Sequence, residues 1–366
     1  MKKKVIRSFQ KKLITWYGKS ARQHLPWRKT KDPYSILVSE TMLQQTQVAK
    51  VIPYYKRFLK KFPTVSVLAK APLTDVLETW SGLGYYSRAK NLHKASLQIM
   101  RDNKGELPGN IDELIRLPGV GRYTAGAVAS IAFDQPAPIL DGNAIRVLCR
   151  YFGIRRSPKE PQIQKKLWAV STDLVPRNSP GTFNQALMEI GALVCTPRSP
   201  QCIRCPLARD CRARKLKIQD KIPLPRIAPK RKKISYVCGI LRKDSSFLVA
   251  RRPLEGLLPG LWEFPGGEIG TNEPSERGLV RLLQERLGVK GEVVSFQGRV
   301  KQILTHREIE IDAFAYRRKK GNFRVKWYDQ IRWVPDHNLM DTAFTAGMSR
   351  VAQKLADSCA LSAPGP

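Results

Sequence analysis

The chain has 366 residues, a formal net charge of +35 and a hydrophobic content of 42%, enough apolar material for two or three domain cores. Like charge on that scale opposes a compact state unless a polyanion is the working partner, and nucleic acid fits that role better than an anionic membrane surface. No run approaches about 18 apolar residues, and no apolar stretch follows Met1-Lys2-Lys3-Lys4, so neither a membrane span nor a secretory leader is expected.

Residues 1 to about 210 are predicted to form an all-α domain. Apolar residues recur at three- and four-residue spacing, as in Val48, Val51, Ile52, Tyr55, Phe58 and Leu59, and proline or glycine turns interrupt the pattern. Glu40 lies four residues after Ile36 and three before Leu43, which places a carboxylate on an apolar helical stripe. Burial there would raise its pKa and make it a proton donor near neutral pH; a rim or ion-paired carboxylate is the competing reading. Further on, Leu117-Pro118-Gly119-Val120-Gly121 separates an apolar helix from a small-residue helix beginning near Thr124. Glycines in that turn bare N–H groups at a helix start, a ready phosphate site, although an ordinary helix–helix turn has the same pattern. Twenty-two residues after Gly119 stands Asp141, between an apolar run and Gly142-Asn143.

Cys195, Cys202, Cys205 and Cys211 bring four thiols into 17 residues with the spacing C-x6-C-x2-C-x5-C. Thiolates that close repel unless a cation joins them, and the ligand type suits zinc or an iron–sulfur cluster alike. Neither common ferredoxin spacing is matched. Cys149, Cys238 and Cys359 are dispersed and read as packing or surface thiols.

Between residues 212 and 233 ten lysines and arginines face one acid, Asp220, with three prolines among them, which predicts an extended linker. Strands are predicted at 235–241, 247–250, 308–316 and 330–334, with a further short run at 300–303. Residues 310–314 alternate polar and apolar as a half-buried strand should. A helix over 273–287 would be closed by Gly288. The expected organisation is a multidomain chain: an all-α domain (1–211), a basic linker (212–233) and an α+β domain (234–358).

The hairpin, the downstream aspartate and the four-cysteine loop, in that order, resemble the helix-hairpin-helix DNA glycosylases of the endonuclease III superfamily. Leu25-Pro26-Trp27-Arg28, the run from Ser39 to Val48, Gly82-Leu83-Gly84-Tyr85-Tyr86 and Phe183-Asn184-Gln185 narrow the likeness to the MutY-type adenine DNA glycosylases. Members of that family remove adenine mispaired with 8-oxoguanine or guanine in double-stranded DNA. The resemblance implies a [4Fe–4S] cluster on Cys195, Cys202, Cys205 and Cys211. It implies that Glu40 protonates the adenine, that Asp141 stabilises the oxocarbenium-like sugar as in other glycoside hydrolysis, and that Tyr123 and Asn143 position them. Lyase members carry lysine where this chain has Tyr123, so no Schiff-base nucleophile is expected there. Trp27, Arg28 and Gln185 would wall the adenine pocket. Gln45, Thr46, Val48, Leu83 and Tyr85 would face the 8-oxoguanine side and fill the gap left by the extruded base; of Tyr85 and its neighbour Tyr86, either could be the packed aromatic. Gly119 and Gly121 would contact the DNA backbone.

After the linker, Leu261-Trp262-Glu263-Phe264-Pro265-Gly266-Gly267-Glu268 and the helix that follows resemble a Nudix box. Active Nudix hydrolases read R-E-x-x-E-E in that helix, whereas this chain reads Arg281-Leu282-Leu283-Gln284-Glu285-Arg286. A lone glutamate holds a divalent ion weakly, so pyrophosphate hydrolysis is not expected. The resemblance implies an 8-oxoguanine-recognition domain, with Leu304-Thr305-His306 as the sensing loop. Competing readings are a bifunctional glycosylase/lyase and an inactive cluster-containing DNA-binding protein. A monomer, cytoplasmic and nucleoid-associated if bacterial, completes the expectation.

Overall fold

A computed structural model describes residues 2–224, 231–256, 258–304 and 306–361, the last four by backbone alone. Contacts divide the chain into two units: Met1–Ala71 with Ser87–Ile227, and Pro72–Tyr86 with Ala228–Pro366. Among the described residues no helix is long and apolar enough to cross a membrane.

The helices run α1 (Lys3–Ser20), α2 (Pro33–Leu43), α3 (Val48–Lys61), α4 (Val65–Lys70), α5 (Leu73–Trp80), α6 (Ser87–Asn103), α7 (Ile111–Arg116), α8 (Arg122–Ala132), α9 (Gly142–Phe152), α10 (Pro161–Leu174), α11 (Pro180–Leu193) and α12 (Arg212–Lys215). All but α5 belong to the first unit. Helix α2 starts where Asp32 accepts the Ser35 N–H and Pro33 occupies the first turn, a pairing suited to a helix start. It is buried around nearly its whole circumference, from Tyr34 and Ile36 to Met42, so any polar residue on it is carried into the interior. Helix α8 is built of small residues because its neighbours come close: a Cβ on Gly126 would lie 2.2 Å from the Pro138 carbonyl oxygen. Asp141 caps α9, and Gly153 ends it in the left-handed conformation with φ 67°.

The predicted linker does not begin at 212. Helix α12 packs on α9, Ala213 and Ile222 are buried, and Arg150 Nε donates to the Ile222 carbonyl at 2.9 Å. Charge and proline counts miss this because each small apolar anchor is isolated among cations.

The second unit contains β1 (Lys232–Ile240), β2 (Arg242–Lys243), β3 (Ser246–Arg251), β4 (Trp262–Glu263), β5 (Gly266–Glu268), α13 (Ser275–Leu287), β6 (Lys290–Ile303), β7 (Arg307–Lys320), β8 (Gln330–Pro335) and α14 (Ala346–Leu361). One sheet has the order β5-β1-β7-β6, with β1 and β7 parallel; the other joins β2, β3 and β4, with β8 also on β3. Helix α13 packs its leucines into one core and α14 contributes Met348, Val351, Ala352 and Leu355 to a second. Ile309, Ile311 and Ala313 enter the second core, Phe314 and Tyr316 the first. Residues 311–314 are therefore covered on both faces, and only Glu310 keeps the part-exposed position expected of a half-buried strand. Gly288 closes α13 with φ 70°, as the sequence predicts. Strand β6 is an edge with mostly exposed residues, which explains why only its last four residues were legible as strand.

Candidate active site

One cavity of about 530 Å³ in the first unit is lined by Trp27, Arg28, Glu40, Gln45, Thr46, Val48, Tyr123, Asp141, Asn143 and Gln185. The tertiary fold thus gathers the four predicted catalytic side chains, the adenine wall and part of the wedge set around one space. Glu40 is 4% exposed. The Tyr123 hydroxyl donates to its Oε2 at 2.7 Å. Burial pushes the Glu40 carboxyl up to about 7; Tyr123 pulls it back, Asp141 adds to the rise and Arg28 opposes it. Tyr123 serves one oxygen of a carboxyl that lines the cavity. Burial, with the charge of both carboxylates, raises the Tyr123 phenol well above its ordinary value, so it remains a donor.

Asp141 sits at the start of α9 and accepts the Ala144 N–H at 2.7 Å and the Asn143 amide at 2.9 Å. Burial raises its pKa, while those donors and then Arg146 oppose the rise. These partners orient the carboxylate and favour its charged form, against a burial that still leaves its pKa above the ordinary value. Asn143 is itself fixed by Arg146, whose Nη2 donates to Asn143 Oδ1 and to the Gly191 carbonyl at 2.7 Å each, and whose Nε donates to the Cys195 carbonyl at 2.6 Å. Gly191 must be glycine, because a Cβ would lie 2.6 Å from Asn143 Cβ.

Sequence reasoning missed Arg146 and also Glu189, which lines the same cavity. Glu189 is 2% exposed and accepts from Arg22 Nε at 2.7 Å and Arg28 Nη2 at 2.7 Å. Burial would raise it, yet the two guanidinium groups outweigh that and hold it below the usual carboxylate range. Its signal was an acid inside the apolar run 186–194. Arg28 Nη1 is buried with no hydrogen-bond partner among the described residues. Gln185 Oε1 accepts the Tyr17 hydroxyl at 2.5 Å, and Trp27 meets Tyr55 edge-on at 5.4 Å.

Gln45 and Tyr85 are exposed and both hold the left-handed conformation, at φ 56° and 50°, where side chains other than glycine are strained. Tyr86 is the packed aromatic at 6% exposure. Leu83 departs from expectation: it is 3% exposed, because its turn folds it inward, and it is not a surface wedge. At the hairpin, Gly119 takes φ 78° and Gly121 caps α8 with no side-chain partner, leaving first-turn N–H groups bare. In the second unit Leu304 is half-buried against the core, so it does not reach outward; His306 is exposed, and Thr305 lies outside the described residues.

Cys195, Cys202, Cys205 and Cys211 are half-buried free thiols. Burial, then the neighbouring sulfurs, raises Cys202 and pushes Cys205 up to about 12; Cys195 likewise acts on Cys211. The four are mutual electrostatic neighbours, and Arg150 Nη1 reaches Cys195 Sγ at 3.3 Å. Among the described residues no group of three or more His, Cys, Asp or Glu side chains is gathered tightly enough to hold a single metal ion. An all-sulfur donor set of this kind fits an iron–sulfur cluster by ligand chemistry. On the Nudix-like helix, Arg281 donates to Glu273 at 2.8 Å and to Glu285 at 3.0 Å, so the residual acids are occupied by an internal cation.

Fold and site together define a base-excision DNA repair protein of the helix-hairpin-helix class: residues 38–172 match the HhH-GPD superfamily base excision DNA repair proteins, and residues 236–354 match the NUDIX domain. A thermostable thymine-DNA glycosylase is similar, with TM-score 0.53 and 32% identity over 58% of this chain and 98% of its own. A non-covalent endonuclease III–DNA complex gives TM-score 0.50 and 26% identity over 60% and 99%. The adenine DNA glycosylase of Buchnera aphidicola subsp. Acyrthosiphon pisum (strain APS) is 36% identical over 326 residues, 88% of this chain and 91% of that protein. The chain belongs to the adenine DNA glycosylase family, enzymes that hydrolyse N-glycosyl bonds.

Proposed function

We propose that this enzyme excises adenine opposite 8-oxoguanine or guanine in duplex DNA by hydrolysis alone, without a strand-cleaving step. The observation that carries this is a protonatable Glu40 held by Tyr123 in one cavity with Asp141, a cavity whose described lining includes no lysine. Glu40 gives its proton to the adenine ring nitrogen N7, the C1′–N9 bond breaks with its electron pair leaving on the base, and Asp141 stabilises the cationic sugar. Water then adds at C1′ and gives its proton to the Glu40 carboxylate, leaving free adenine, an abasic site and the acid restored. The described lining offers no lysine as a Schiff-base nucleophile.

Exposed Gln45 and Tyr85 support a role beside the lesion once adenine is extruded. Bare N–H groups at the start of α8 suit a phosphate. The Nudix-like unit, its acids tied to Arg281, supports recognition of 8-oxoguanine rather than phosphate hydrolysis, with His306 as the exposed member of the proposed sensing loop. Cys195, Cys202, Cys205 and Cys211 would hold a [4Fe–4S] cluster, which ties residues 195–211 together when bound.

The test is single-turnover glycosylase kinetics on duplexes with adenine opposite 8-oxoguanine, G, C and T, with and without alkali. Expected is adenine release from the first two, with breaks only after alkali. Alkali-independent breaks trapped by borohydride would defeat the monofunctional assignment, and equal rates on all four duplexes the mispair assignment.

A further inference from the structure

Helix α6 carries a buried cation that the chemistry above does not use. Arg88 is 7% exposed, and its Nη1 donates to the carbonyls of Thr41, Met42 and Gln44 at 3.0, 2.7 and 2.6 Å, while Nη2 donates to Thr46 Oγ1 at 3.1 Å. Thr41 and Met42 lie in the last turn of α2, where carbonyls have no helical partner and a cation is favoured by the helix dipole. The chain then folds into a turn closed by the Thr46 N–H on the Leu43 carbonyl at 3.2 Å. Gln45 stands at its apex at φ 56°. A strained conformation persists only where its surroundings over-determine it; here three carbonyls and a hydroxyl converge on one guanidinium. One helical step along, Asn91 packs directly on the hairpin, since a Cβ on Gly119 would lie 2.6 Å from Asn91 Cβ. Gln44 Nε2 adds a bond to Thr124 Oγ1 at 3.3 Å. The same face of α6 therefore touches the Gln45 turn and the hairpin turn.

We propose that Arg88 is a positioning residue for base extrusion: it presets the Gln45 turn, so that the side chain filling the opened stack is in place before DNA arrives. This rests on the proposed role of Gln45. Arg88 acts on extrusion and not on bond breakage, and a planar fork serving several acceptors is something lysine cannot reproduce.

The test uses the full-length protein with Arg88→Lys, Gln45→Ala and the double variant. Extrusion is read from the fluorescence of 2-aminopurine at the target position, and release is read on adenine opposite 8-oxoguanine and opposite an abasic-site analogue, where no pair has to open. Arg88→Lys is expected to lower extrusion and the paired-substrate rate about tenfold, to change the abasic-analogue rate less than about threefold, and to add little to Gln45→Ala in the double variant. An equal loss on both substrates would mean that Arg88 acts through the placement of Glu40 and would overturn the proposal. So would a defect in Gln45→Ala with none in Arg88→Lys. Normal extrusion by Gln45→Ala would instead locate the failure in the wedge role itself. Where melting curves show Arg88→Lys unfolded, Arg88→Gln, which retains a planar donor, replaces it with the same expectations.

Discussion

Glu40 converts a structural cost into a chemical capacity. Its carboxyl is raised to about 7 from an ordinary 4.5, so the folded protein binds a proton that the unfolded chain releases at lower pH. Stability contributed by this group is full below about 4.5 and declines as pH rises to about 7. The loss amounts to about 3 kcal/mol at most above neutrality. Glu40→Gln should therefore raise the melting temperature more at pH 8 than at pH 5, as thermal melts at both values would show. The same variant should lose adenine release by at least about 10²–10⁴-fold, because an amide is no acid, while mismatch binding stays within a few fold; a near-wild-type single-turnover rate would rule out the assigned role. In the native enzyme the single-turnover rate should fall as pH rises through about 7, the direction set by loss of the acid. Tyr123→Lys places an amine beside the same cavity, and borohydride-trappable cleavage without alkali is its expected gain.

At the level of elements, short connectors aim the chemistry. Helix α9 begins with Asp141 as its cap, and one turn later Arg146 bridges Asn143 to the backbone at Cys195. That links the orientation of the carboxylate proposed to stabilise the sugar to the start of the cysteine loop. Removing a charged group that makes several hydrogen bonds costs about 1.5–3 kcal/mol. Arg146→Ala should accordingly lower the release rate by roughly tenfold or more with DNA affinity little changed, a split visible in single-turnover rate against binding titration. If the loop holds iron, protein prepared without air should be brown and contain about four irons per chain. One zinc and no iron would sink that assignment. Part of this arrangement was legible beforehand: local pattern marked Glu40, Asp141 and the hairpin as candidates, and the family resemblance supplied their expected roles. Arg146, Glu189 and Arg88 were not, since a cation or acid in a helix reads as solvent-facing until the helices against it are known.

Across the whole molecule a net charge of +35 is the footprint of a phosphate-binding protein. Each phosphate contact releases counterions, so affinity for any duplex should fall linearly in log–log with salt. A contact set of 6–10 phosphates would lose about 10³–10⁵ in affinity between 50 and 200 mM salt; fluorescence anisotropy across that range is the measurement, and a flat response would remove phosphate contacts as the source of binding. Composition, cysteine spacing and the periodicity of residues 1–210 and 235–334 pointed by themselves to an all-α unit before an α+β unit and to a polyanion partner, whereas the candidate chemical residues were singled out through their resemblance to a known family. These are one-dimensional properties: charge sums, intervals and face periodicities. Only the tertiary structure decided that residues 212–224 fold back onto α9, that Leu83 turns inward, that residues 311–314 are covered on both faces and that the Glu40 carboxyl rises to about 7. Each of those depends on which surface packs against which, and burial is a property of neighbours that sequence intervals do not contain.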